Sequence, residues 1–437
     1  MDVLLRVRQG ARPRVLRGPP RREQARPQEH GGDAGPDHRR RPARARGSRV
    51  SDLYIAAGGG GDPLGTLIAA RALAADPACP AGPPLIATYA WERPEVDPTA
   101  RPLGTRHFDG LVHERGGFAA FTPATRARPP AGSTMPGLAG DLPARLLLLD
   151  PSGGLPSLAR QIAAMAEAAE GGRIRIVDIG GDVLTHGDEP GLCSPFGDAL
   201  TLAACHLTGM ATTVHVAGPG LDGEIGEHVL LERLAGSLPL VPGRDAVAAA
   251  ARALAWHPSE ASALWAAAIQ GARGTVRTVN SVITLTAASP RLYPLPLQEA
   301  IGHNPVARAL VAERPAHLEA AAEVSRRLTG IPGLESERTR TPPRPRPVPL
   351  DRDENMKALR EAADGAYHMT FRHAARVLGL TWRDIPALRA TLGTNAPLLH
   401  LTSLSDRAVS FRGRVPAAEG VDTEGIRTGR ASGELHN

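Results

Sequence analysis

Aromatic residues make up only 3% of the 437-residue chain, lysine occurs once, at Lys357, and cysteine three times, at Cys79, Cys193 and Cys205. With so few rings, a core has to be assembled from alanine, leucine, valine and isoleucine. A hydrophobic fraction of 42% is enough for that. The lone lysine follows no glycine-rich loop, so the Gly-Lys-Ser/Thr phosphate loop is excluded. Three cysteines without paired spacing argue against a disulfide framework and against a zinc cluster, and read as small buried thiols. No run approaches the ~20 apolar residues of a membrane span, and the N-terminus lacks the apolar core of a signal peptide. The expectation is a soluble, cytoplasmic protein with no membrane partner. A Gly-x-Ser-x-Gly elbow is also missing, and no histidine accompanies the cysteines in sequence, so a nucleophilic hydrolase is poorly supported.

The net charge of +6 is misleading. Residues 1–50 hold 14 arginines and five acids, a net of 14 − 5 = +9, which leaves 6 − 9 = −3 for the rest. Basicity usually signals nucleic acid or an anionic membrane; here it is confined to one segment, and nucleic acid is not the expected partner. That Arg/Pro/Gly-rich segment has no apolar periodicity and is expected to be a disordered arm. It reads as a nucleic-acid arm, a transit-like leader or, the preferred reading, the product of a start placed too far upstream. In the last case the native chain begins near Val50.

From Ser51 onward, short apolar runs alternate with helical patterns. Strands are expected at 52–57, 85–90, 145–150, 173–178 and 212–217, with an alternating edge strand at 275–286. Helices are expected at 67–75, 157–169, 197–208, 224–235, 244–255 and 259–271. Alternation of this kind implies parallel pairing through crossovers, and continuous apolar strands imply a sheet covered on both faces. The expected fold is α/β: a Rossmann-like, doubly wound, mostly parallel sheet over 51–335. It carries a 336–352 linker, a small helical unit at 353–400 and a frayed tail at 401–437. The Pro/Gly-rich stretch 91–140 reads as an insertion or mobile loop.

Four glycine-rich loops follow four of these strands, and ligands of doubly wound sheets sit beyond strand carboxyl ends. The first is Gly58, Gly59, Gly60, Gly61 and Asp62, where bare backbone and a helix N-terminus suit an anion. It does not carry the G-x-G-x-x-G dinucleotide register. Asp62 there either caps the helix or touches a ligand hydroxyl. The second, Asp150 to Gly154, offers the Ser152 hydroxyl and the Gly153 amide, or is a plain turn. The third is the most chemically loaded. Asp178, Asp182, Asp188, Glu189 and Asp198 lie within about 20 residues together with His186. Asp178 and Asp182 flank Gly180 and Gly181 at a strand end, where their charges would converge. Such a cluster calls for a cation, a ligand or raised pKa values, and suits Mg²⁺ binding, sugar-hydroxyl recognition or general-base work. Asp188, Ser194 and Asp198 read instead as turn and cap residues. The fourth loop holds Gly218, Gly220, Asp222 and Glu224, whose acids either reach a ligand or favour a helix start. Ser259 reads as an N-cap, and Arg273 is positioned to meet an anion.

These same residues carry a family resemblance. Residues 177–182, Gly187 to Glu189, Ser194 with Asp198, the Gly58–Asp62 loop and Gly218–Glu224 together resemble the family called domain of unknown function 1152. Its members are bacterial and archaeal, and the C-terminal extension resembles actinobacterial ones. The resemblance covers roughly 51–330 and implies an α/β fold with a shared site at these loops. It transfers no reaction.

Residues 370–389 have a helix-turn-helix rhythm, with Gly379 at the turn and Ile385 and Leu388 inward. Arg383, Asp384 and Arg389 do not make a basic face, which points to packing on the main domain or a homo-oligomer contact rather than DNA. The functional expectation is an enzyme, hydrolase or transferase, acting on a small polar metabolite that is phosphate-bearing or of nucleoside or sugar type. Asp178 and Asp182 would be its catalytic residues and Mg²⁺ a candidate cofactor. The alternative is a ligand sensor acting through the C-terminal helices.

Overall fold

The computed structural model describes residues 51–60, 62–74, 82–334 and 352–401. The 1–50 arm, Gly61, Cys79, residues 335–351 and the tail from 402 lie outside them. In chain order the strands are β1 (Ser51–Gly59), β2 (Leu85–Tyr89), β3 (Phe108–Asp109), β4 (Val112–His113), β5 (Ala119–Ala120), β6 (Arg126–Ala127) and β7 (Arg145–Leu149). They continue with β8 (Glu170–Ile179), β9 (Ala211–Ala217), β10 (Gly274–Arg277), β11 (Val282–Leu285), β12 (Leu292–Pro296), β13 (His368–Met369) and β14 (Leu399–His400).

Eight of them form one sheet in the order β12-β9-β8-β1-β2-β7-β5-β4. The inner five, β9, β8, β1, β2 and β7, run parallel. Antiparallel β12 closes one edge, and β5 with β4 closes the other. The chain therefore lays β1, β2 and β7 outward in one direction, then returns past β1 to lay β8 and β9 in the other. Loops leaving β1 and β8 diverge, and a crevice opens between them at the carboxyl ends.

Apolar residues alternate between the two faces, as the two-residue period of a strand demands. Leu53, Ile55, Leu147, Leu149, Ile174 and Ile176 pack on one side with the helices Gly154–Ala168 and Pro195–Thr208. Tyr54, Ile86, Leu146, Leu148 and Val177 pack on the other with the helices Asp62–Leu73 and Glu260–Ile269. Both faces are dry, which is why the central strands read as unbroken apolar runs. Trp265 is fully buried, and its indole N–H donates to the Pro290 carbonyl at 3.3 Å.

Three sequence expectations change. The 91–140 stretch is tied down rather than mobile. Buried Glu92 accepts from the Thr134 amide and hydroxyl at 2.7 and 2.6 Å, and buried Asp97 accepts from the Thr99 and Gly132 amides. The strands of this stretch, β3 to β6, are only two residues long each, and side-chain carboxylates hold the turns between the longer elements, which leaves no periodicity to read. Residues 275–286 are not one edge strand but the hairpin β10–β11, which joins β13 and β14 in a separate sheet ordered β11-β10-β13-β14. Strand β12 escapes sequence reading because Pro294 and Pro296 demote it, yet an edge position tolerates proline.

The C-terminal helices Arg352–Ala362, Phe371–Val377 and Ile385–Leu392 share an apolar cluster that includes Leu359, Met369, Phe371 and Leu388. Thr370 caps the second helix by accepting from the His373 amide. Buried Arg389 lies over the Phe371 ring and donates to the carbonyls of Ala396, Leu254 and Pro397. It therefore ties this unit to the main domain. Arg389→Met strands those carbonyls, and we expect a loss of about 2–4 kcal/mol. Hydrogen exchange in residues 385–401 should accelerate more than in β1 or β8; equal acceleration everywhere would contradict this docking role.

Candidate functional site

Above the crevice lies a cavity of about 210 Å³. Its wall brings together Gly58, Gly59, Gly60 and Asp62 from the β1 loop, Asp178 and Asp182 from the β8 loop, and Asp222 and Glu224 from the β9 loop. Three of the four glycine loops thus converge. Asp182 opens a short 3₁₀ turn, Asp182–Leu184, directly after Gly181. Asp178 accepts from the Val183 amide at 3.2 Å, which folds that turn back over the strand end.

Glycine at two positions leaves room for these acids. Gly180 has φ +135°, and a Cβ there would stand 2.2 Å from Asp222 Oδ2. A Cβ on Gly58 would meet Asp62 Oδ2 at the same 2.2 Å. Both glycines clear space for a carboxylate instead of touching the cavity through a side chain. Gly180, Gly181, Gly218 and Gly220 shape the turns but do not line the cavity, and Gly61 lies outside the described residues.

The second loop stays apart. Ser152 and Gly153 follow β7, which is separated from β1 by β2, and neither lines the cavity. The Ser152 amide and hydroxyl and the Thr105 amide and hydroxyl all donate to Asp150. Burial raises the Asp150 carboxyl, but these donors outweigh it and hold it below the usual range. The exit of β2 takes the place of the second loop: Trp91, Glu92 and Arg93 line the cavity. No glycine marks that exit, so the sequence offered no signal there.

Asp198 is the main residue that sequence reasoning missed. Its sequence position suggests a cap, but it sits in the first turn of Pro195–Thr208 and the residue is only 4% exposed. One oxygen each from Asp178, Asp182 and Asp198 lie within 4.8 Å of one another, and all three residues are buried. At an effective dielectric near 20, two full charges at that separation repel by roughly 3 kcal/mol. Burial is the largest influence on each of these groups and raises all three. Asp198 and Asp178 then push Asp182 higher, and Asp178 and Asp62 push Asp198 higher. Burial followed by the Asp178 charge raises Asp62 to about 8, and burial followed by Glu224 raises Asp222. Asp198 Oδ1 and Asp222 Oδ2 are buried with no hydrogen-bond partner.

Other acids of the loops have structural work. Ser194 stands at the N-cap position of Pro195–Thr208 as expected but makes no side-chain capping bond; its hydroxyl donates to Glu224 at 2.7 Å, and the amides of Cys193 and Ser194 donate to the same carboxylate. The helix expected at 224 starts at Glu227, so Asp222 and Glu224 do not serve its N-terminus. Asp188 is exposed, and His186 stacks on His303 at the surface. Arg273 donates to the Ala268 and Ala272 carbonyls and does not line the cavity. Ser259 is the N-cap expected of it, accepting from the Ser262 amide.

The C-terminal unit supplies part of the wall. Arg372 lines the cavity and pairs with Glu95 at 2.6 Å and Glu260 at 3.4 Å. His257, also in the wall, contacts the Thr134 hydroxyl, which donates to Glu92. Burial, aided by the Arg372 charge, lowers His257 to about 3, so its imidazole is neutral. No helix among the described residues is long and apolar enough to cross a membrane.

A family model described as "Protein of unknown function (DUF1152)" matches residues 53–341. No curated protein and no solved structure matches the chain.

Glu189 fixes the third loop from behind. It accepts from the Thr185 hydroxyl and the His186 amide and pairs with Arg233 at 2.6 Å. Burial raises its carboxyl, but these donors prevail and hold it at about 2, below the ordinary 4.5. A depressed carboxyl contributes stability that is complete above the unfolded pKa and fades as pH falls toward the folded one. Glu189→Gln should therefore cost about 1 kcal/mol at pH 7, allowing for solvent screening. In urea melts the gap from the parent should close between pH 4.5 and 2. A gap constant across that window would contradict the assignment.

Proposed function

We propose that this chain, which belongs to the DUF1152 family, is an enzyme that binds a small polar metabolite in the carboxylate-lined cavity and acts on it as a hydrolase or transferase. The observation that carries this reading is the convergence of Asp62, Asp178, Asp182, Asp198, Asp222 and Glu224, from distant parts of the chain, on one enclosed space. A scaffold has no use for such an arrangement, because three of these acids, Asp178, Asp182 and Asp198, are buried, and each opposes folding.

The strand order supports a Rossmann-like, doubly wound reading of the sheet, with the ligand at the switch between β1 and β8. The exposed backbone of Gly58 to Gly60 gives a ligand close access to amide groups. Trp91, half-buried, lines the same cavity and is backed edge to face at 6.1 Å by the buried Phe196, so its indole gives apolar surface to a base or sugar ring. Trp91 Nε1 is buried without an acceptor, a further donor for a polar ligand. Carboxyls raised toward neutrality, Asp178 and Asp182 foremost, are suited to moving a proton to or from a reacting oxygen. These features favour a phosphate-bearing, nucleoside or sugar-type substrate.

The sensor reading requires a contiguous arginine face on residues 382–395. Of the two arginines there, Arg383 is exposed and Arg389 is buried against the main domain. Arg372, one helix earlier, faces the cavity. The C-terminal helices therefore serve the pocket better than they would serve DNA, and the enzyme reading stands first.

The test is a thermal-shift and native-mass screen of nucleotides, nucleosides and sugar phosphates against the full chain. Asp182→Asn should retain the circular dichroism of the parent while losing ligand binding or turnover at least about a hundredfold. Undiminished binding by that variant would remove the support for the site.

A further inference from the structure

Among the described residues, Asp178, Asp182 and Asp198 take part in no ion pair; of the arginines in the wall, Arg372 is paired with Glu95 and Glu260, and the charge of Arg93 acts on Asp62. Asp198 Oδ1 is buried without a partner and lines the cavity, so it is a preformed acceptor with nothing to accept.

We infer that Asp178, Asp182 and Asp198 hold one hard divalent cation of the Mg²⁺ or Mn²⁺ class, and that a phosphate-bearing ligand is drawn into the acidic cavity by coordinating that ion. The second half rests on the enzyme reading above; the first does not. Geometry permits the site: oxygens sharing an ion lie at most about 4.2 Å apart for Mg²⁺ and about 5 Å for Ca²⁺. One oxygen from each of the three carboxylates lies within 4.8 Å of the others, so Ca²⁺ would be spanned as they stand and Mg²⁺ or Mn²⁺ after the side chains draw in by a few tenths of an ångström. The donor set is oxygen only, which suits Mg²⁺, Mn²⁺ or Ca²⁺ and disfavours Zn²⁺, with its preference for nitrogen and sulfur. Mg²⁺ commonly keeps open positions for water and substrate phosphate, and the adjoining cavity provides that space. An anion would otherwise face a wall rich in carboxyl groups, so a cation reconciles the glycine loop at Gly58–Gly60 with its acidic surroundings.

The experiment uses the full-length chain stripped with a chelator and titrated with MnCl₂ alone, bound ion being counted from the loss of the free Mn²⁺ paramagnetic signal. Binding should saturate at a single ion per chain and be displaced by MgCl₂. Asp198→Asn and Asp178→Asn should each weaken it by roughly tenfold or more, while Asp188→Asn, on the exposed outer side of the same loop, should leave it unchanged. Inorganic phosphate should then bind only when Mn²⁺ is present. No saturable binding in the millimolar range overturns the cation site, as does parental affinity in both Asp198→Asn and Asp178→Asn. Should Asp178→Asn not fold, Asp198→Asn and the Mg²⁺ competition decide. A cation site without any metabolite hit leaves the cation half of this inference standing and removes the enzyme reading with the ligand half; a metabolite hit without cation binding overturns the cation half and leaves the enzyme reading.

Discussion

Like charges forced together in a dry place dominate this molecule. Asp178, Asp182 and Asp198 bring carboxylate oxygens within 4.8 Å of one another, all but out of contact with water. Folding has to overcome both the loss of hydration and the mutual repulsion, each worth several kcal/mol against a total stability of only about 5–15 kcal/mol. The rest of the domain can be understood as what makes that tolerable. Two apolar faces of a parallel sheet supply the driving force, and the acids sit on turns whose amides help, as Val183 does for Asp178. Other acids nearby have dedicated partners: Glu189 pairs with Arg233, Glu95 and Glu260 pair with Arg372, and Glu92 accepts from the Thr134 amide and hydroxyl. The contrast between those satisfied groups and the orphaned Asp198 marks the site.

Much of the architecture was legible because it rests on period and punctuation. Runs such as residues 145–149 and 173–179, each followed by a glycine turn, declare buried parallel strands, and the acids at 178 and 182 could be placed at a strand end before any coordinates. What stayed hidden depended on neighbours distant in sequence. Asp198 looks like any acid in a helix's first turn until the β8 loop is folded over it. The exit of β2 contributes Trp91 and Glu92 without a glycine to announce them. The Ser152 loop has the same local pattern as the others, yet strand order puts it one strand too far from the crevice. Loop chemistry is local; convergence is topological.

The C-terminal unit shows the same limit. Its helical rhythm was readable, but its attachment was not. Strand β13 extends the sheet of β10, Arg389 buries its guanidinium among carbonyls of both parts, and Arg372 reaches the cavity. A segment that resembles an appended module thus closes one wall of the site, which couples the integrity of that wall to the docking of the last described helix.

The most direct measurement of the central claim is the melting temperature, in chelator, of the parent beside Asp198→Asn. Removing one charge from a cluster that has no counter-ion should make the protein more stable, since the lost oxygen had no partner to leave behind. An unchanged or lower melting temperature would mean that the carboxylates are not under the mutual strain on which the site depends.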